Sequence, residues 1–240
     1  MASSYSTNAQ LEIITTGEKA GQWGGINNTN LQILEQTSTG VLDVDISAGS
    51  STLVLTDGAK STGKNIYLRL YGTLAASRTV TMPVTAERVW IMKDDTVRGA
   101  SNYTVGVLTA SGTTQPIPPG ATVLCKSNGS ETVVTILEKG YATITNSNTP
   151  YTAVAGAQIL ANTTSAVITV TLPAAASTGD EVTIIDARGT WGSNNLTVDR
   201  NGLNINSAAS NLTLITNGQS ITLVYVDATR GWAYKTNYTS

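Results

Sequence analysis

Past residue 40 this chain repeats itself, and that constrains its fold more than any single motif, because two copies of one pattern should build two copies of one structure. The stretch "LYGTLAASRTVTMP" (70–83) lies without gaps on "LANTTSAVITVTLP" (160–173), which sets Val80 on Val170. Further on, "ERVWIMKD" matches "DEVTIIDA" and sets Val89 on Val182, while "SNYTV" matches "NNLTV" and sets Val105 on Val198. A fourth match places "PPGATVLC" on "TNGQSITL". Each match is weak alone; their preserved order and nearly constant spacing make the repeat.

Within each copy the apolar residues alternate with period two, the mark of strands with one buried face. Thr, Val, Ile and Tyr dominate, which suits pleated, half-buried surfaces. The links "KDDTVRGASN" and "DARGTWGSNN" carry the Gly, Asn, Asp and Ser of tight turns and read as hairpins. The expected fold is all-β: two tandem small antiparallel β-sandwich or barrel-like domains, 41–145 and 146–240, behind a short N-terminal strand-loop-helix docking segment, 1–40. In this alignment Trp90 and Met92 fall in the outward phase, between Val89 and Ile91, where the second copy has Thr183 and Ile185. Either residues 41–65 of the same chain cover them, or they form a subunit interface.

The N-terminal segment departs from the repeat. From Asn28, "NTNLQILEQTSTG" offers Asn or Thr as N-cap, Leu31, Leu34 and Ile26 at helical spacing, and Gly40 as a stop. A helix of about eight to ten residues is marginal alone and needs a surface to dock on. Ahead of it, "TTGEKAGQWGG" displays Trp23 on a Gly-rich loop, and rigid aromatics of this kind anchor interfaces. Trp23, Gly24, Leu31 and Leu34 are therefore the candidate docking residues. The plainer alternative is that Trp23 covers the core of the first domain.

The pattern G-E-x-x-G-x-W-G-x-x-x-N-x-N, present as Gly17, Glu18, Gly21, Trp23, Gly24, Asn28 and Asn30, resembles the N-terminal motif of many tailed-bacteriophage structural proteins, especially tail fibre and appendage proteins of marine and cyanobacterial phages. Residues 168–232 resemble a β module recurring in phage tail fibres, with T-L-P, G-D, D-x-x-G-x-x-x-x-N-x-L-T-V and D-x-x-x-G-W as landmarks. The first domain departs from that module: Arg98 stands in place of Trp191, and no W-A-Y ending follows "SNGSETVV". The resemblance implies a virion structural protein made in the host cytoplasm, typically a homotrimer, with its N-terminus on other virion tail or portal-vertex proteins and its C-terminus outward. A short tail fibre or tail-fibre adaptor is the expectation; a capsid decoration or head-fibre protein is the alternative. Aromatics at loop tips, such as Trp191, Trp232 and Tyr234, could stack on a host surface glycan, which leaves a carbohydrate-binding receptor-recognition module as a further reading.

Several classes are disfavoured. Charged residues make up 12% of the 240 residues, the net charge is −2, and basic runs are absent, so nucleic acid is not an expected partner. Neither a basic N-terminal region nor an apolar stretch of about 18 residues occurs, so a soluble chain without membrane insertion or export signal is expected. The sequence has no histidine, which removes imidazole catalysis and imidazole metal sites. Asp94, Asp95, Asp180, Glu181, Asp186, Asp199 and Asp227 sit at turns or strand ends, where carboxylates shape backbone. No catalytic, cofactor or metal residue is expected, and Cys125 reads as a small buried hydrophobe.

Overall fold

Period-two patterning makes strands, and the connections decide which strands pair. The computed structural model describes residues 4–84, 86–98, 102–110, 112–128 and 130–238. Two units emerge: Met1–Val97 with Thr104–Ile117 and Thr122–Leu137, and Glu138–Ser240 with Arg98–Tyr103 and Pro118–Ala121.

The first unit opens with a ribbon of β1 (Ser4–Tyr5) and β2 (Glu12–Ile13), followed by helix α1 (Trp23–Thr39). Then β3 (Val41–Asp45), β4 (Ser51–Thr52), β5 (Tyr67–Thr73), β6 (Arg78–Met82), β7 (Arg88–Val97) and β8 (Val105–Thr109) alternate between two sheets. Strands β3, β5 and β7 pair in parallel in one sheet, and β4, β6 and β8 in the other. The chain thus winds as a short β-solenoid, each coil giving one strand to each sheet. β9 (Gln115–Ile117) pairs antiparallel with β8, β10 (Thr122–Ser127) pairs antiparallel with β7, and β11 (Thr132–Glu138) lies beside β10.

The second unit repeats this strand for strand. β12 (Tyr141–Ile144), β14 (Gln158–Ala161) and β16 (Glu181–Asp186) pair in parallel, as do β13 (Tyr151–Thr152), β15 (Ile168–Thr171) and β17 (Leu196–Asp199). β18 (Leu212–Leu214), β19 (Ser220–Asp227) and β20 (Gly231–Tyr238) then close the two sheets with antiparallel pairings.

The protein is mostly β with one helix, but the expectation of antiparallel sandwiches is corrected to solenoid coils. Parallel neighbours need a crossover connection, and here the strand of the opposite sheet supplies it. The turn-rich link 187–195 is accordingly a corner between sheets and not a hairpin. Its counterpart in the first unit includes 99–101, which lie outside the described residues. The second unit takes in β12, and the N-terminal segment groups with the first unit.

Register fixes the true equivalences. Val80 faces Val107 and Val170 faces Val198, so the counterpart of Val198 is Val107; Val105 answers instead to Leu196. Leu70 faces Asp94 and Ala161 faces Asp186, which makes Trp90 and Met92 the counterparts of Val182 and Ile184. The sequence match at Val89 was one residue out, and such a slip moves every side chain to the other face. Trp90 and Met92 are wholly buried within the first unit, and Trp90 Nε1 donates to the Gly63 carbonyl at 2.9 Å. They have no surface to offer a partner subunit, and Val89 and Ile91 point outward instead.

Candidate functional site

The N-terminal segment is built by tethers that leave one helix flank open. In the loop before α1, Gly17 and Gly21 hold φ of +88° and +77°, the left-handed region where a side chain is strained. Asn30 then clamps β2 as a neighbouring strand would: the Glu12 N–H donates to Asn30 Oδ1 at 3.0 Å, and Asn30 Nδ2 donates to the Glu12 carbonyl at 2.9 Å. One turn and a half later, Gln36 makes a second two-way clamp with the backbone of Ser61. Between them Ile33 is fully buried, with Ile26 half-buried on the same flank. A Cβ on Gly40 would stand 2.3 Å from the Gln36 carbonyl oxygen, so the chain can leave the helix there only as glycine.

The helix begins five residues ahead of the expected Asn28 and runs from Trp23 to Thr39, with Gln22 in the cap position and no side-chain cap. Its inward stripe is Ile26, Asn30, Ile33 and Gln36, not Leu31 and Leu34. Those two residues and Trp23 share the adjoining flank and are 55%, 44% and 65% exposed. Glu35 is the helix's one charged residue. Gly24 and Gly25 lie inside the helix, where glycine weakens it by about 1 kcal/mol relative to alanine, yet a Cβ at either would meet nothing within 4 Å. The motif residues thus divide: Gly17, Gly21 and Asn30 are accounted for by local structure, whereas Trp23 and Gly24 have no evident partner in the described residues.

The other residues singled out in the sequence are placed elsewhere. Trp191 is wholly buried in the second unit's core with Leu196, Val198 and Trp232, so it cannot meet a glycan. The carboxylates are occupied with backbone and ion pairs. Asp186 accepts the N–H groups of Arg188, Gly189, Trp191 and Gly218, Asp227 those of Thr229 and Arg230, and Asp95 pairs with Arg69. Sequence reasoning passed over Lys64, which is fully buried and donates through Nζ to the Thr56 and Ala59 carbonyls, each at 2.7 Å. Burial, with Arg88 adding repulsion, pushes its pKa below the ordinary lysine value. It pins the loop that receives Gln10, and nothing in the hydrophobic pattern announces it. Among the described residues no helix is long and apolar enough to cross a membrane.

No family model and no curated protein matches this chain. Among solved structures, one described as "Structure of a chaperone-substrate complex" aligns over 82% of this chain at 14% identity, with a TM-score of 0.37. The aligned part spans 32% of that chain's length.

Proposed function

We propose that this chain is a non-enzymatic virion structural protein, a short tail fibre or tail-fibre adaptor, that docks through α1 and projects its two β units outward as a homotrimer. The observation that carries this reading is the unpartnered flank of α1. Trp23, Leu31 and Leu34 stand exposed on a nearly uncharged helix whose adjoining flank is tied down by Asn30, Ile33 and Gln36. Burying each of the three would contribute roughly 1.5–3 kcal/mol before the entropy of association is subtracted. Three copies on one axis would add avidity. The resemblance of the Trp23 motif to phage appendage proteins supplies the particle.

The test is assembly with the full-length triple variant Trp23→Ala, Leu31→Ser, Leu34→Ser, which keeps every tether of the helix. Unchanged melting temperature together with loss of the protein from purified particles is expected. Wild-type incorporation would end the docking reading. For the oligomer, the solution mass should be three times the 25.0 kDa of one chain.

A further inference from the structure

A strand at the end of a sheet leaves a row of backbone N–H and C=O groups open to pairing with another chain, and proteins blunt such ends by shortness, charge, proline or bulges. The four larger sheets end in β3 and β11, β12 and β20, β13 and β18, and β4 and β9. Nearly every one of these strands is blunted. β4 and β13 have two residues, β9 and β18 three, and β12 four. β9 also contains Pro116, and β3 carries Asp43 and Asp45. β20 is long, but it holds Lys235 and its pairing with β19 shifts register twice.

β11 has none of these features. It runs for seven residues, and "TVVTIL" contains no charge, proline or glycine before the closing Glu138. Among the described residues its second flank carries no strand. Its side chains alternate: Val133, Thr135 and Leu137 are exposed, Val133 at 57% and Leu137 at 54%, whereas Val134 and Ile136 on the other face are half-buried. A terminal strand is covered from one flank alone, so these two residues would be covered fully by a strand laid on the other.

We infer that β11 pairs antiparallel with β11 of a second copy of this chain, about a two-fold axis through Thr135. In that register the strand is complementary to itself. Val133 falls opposite the partner's Leu137, Val134 opposite the partner's Ile136, and Thr135 opposite the partner's Thr135. Apolar residues meet apolar ones on both faces, and two threonines make a favourable cross-strand pair. One residue past the strand ends, Glu131 meets the opposite charge of the partner's Lys139. Other registers lose this match. A slip of one residue sets the exposed face of one copy against the core face of the other, and a slip of two sets Leu137 against the partner's Glu131 or Val134 against the partner's Glu138. Pairing joins two five-stranded sheets into one continuous sheet.

This contact is separate from the docking of α1 and from the three-fold reading, and sedimentation of the full chain tells them apart. The mass at low concentration tests the trimer; a climb above that mass as concentration rises tests the edge. Wild type should climb. Val133→Lys with Leu137→Lys sets like charges against each other across the axis and should weaken the association roughly tenfold. Val133→Glu with Leu137→Lys sets each carboxylate against an ammonium group and should restore it. Both positions are exposed, so the melting temperature should hold in either variant. Thr135→Cys brings two thiols onto the axis with Cα atoms about 4.5–5.5 Å apart, within the reach of a disulfide. Mild oxidation should link it into a covalent dimer faster than Val167→Cys, an exposed position outside β11, while buried Cys125 stays inert. A mass that does not change with concentration overturns the proposal. So does a climb that the two lysines leave intact, a glutamate–lysine variant that fails to recover it, or cross-linking of Thr135→Cys no faster than that of Val167→Cys.

Discussion

Glu181 shows what a single side chain contributes. It sits on β16 and receives Lys235 and, at 3.4 Å, Lys139. The hydrogen bond from Lys235 first, and the two lysine charges after it, hold its carboxyl below the usual 4.5 against the opposing effect of burial. A carboxyl depressed in the folded state stabilises the fold fully above its unfolded pKa, and that contribution disappears as pH falls through the folded value. Glu181→Gln should therefore melt below wild type at neutral pH, and the gap should close as pH falls below about 4.5. Both lysines are largely exposed, so solvent screening keeps the gap small. A gap that persists unchanged into acid would show that packing, not charge, was lost. At this scale the sequence was legible for Asp186, Asp199 and Asp227, which shape turns, but not for Asp94 and Asp95, which lie inside β7, nor for the tryptophans. The runs Val89-Trp90-Ile91-Met92 and Val182-Thr183-Ile184-Ile185 are apolar at most positions, so neither pattern reveals its buried phase; only pairing with β5 and β14 does.

Among the elements, α1 has the least intrinsic reason to exist. It starts with Trp-Gly-Gly, lacks a side-chain cap and carries no acid in its first turn, so the sequence reads as loop until Asn28. Tertiary tethers at Asn30, Ile33 and Gln36 override that weakness, whereas its end at Gly40 is written locally and was readable. Replacing Gly24 and Gly25 together by alanine should stabilise the helix by about 1 kcal/mol per site, seen as greater helicity and a higher melting temperature. If the glycines are there to let a partner approach Trp23, the same variant should be depleted from particles; full incorporation would remove them from the docking surface. Strands raise a different difficulty. Their existence and alternation were plain in sequence, but a buried face alternates identically in parallel and antiparallel neighbours. A tight turn is equally suited to a hairpin or to a corner between sheets.

At the scale of the whole molecule, each unit holds its own buried core, and an independent reporter exists for the first. Cys125 is fully buried on β10, and burial pushes its thiol up to about 12, so it should resist alkylation until the first unit opens. In the second unit, Asp186 ties the corner before β17 to the turn before β19 through four backbone N–H groups. Asp186→Ala would orphan these donors at a cost of about 3 kcal/mol or more. Calorimetry should show one transition moving down while the rate of Cys125 alkylation stays as in wild type. If alkylation accelerates in step, the two units open together. The antiparallel closure of each unit carries a last consequence. A parallel coil stacked on β7 or β16 would have to displace β10 or β19, so an extra coil cannot simply be spliced in behind either strand. A chain of this design grows as a railway train does, by coupling another complete carriage and not by stretching one.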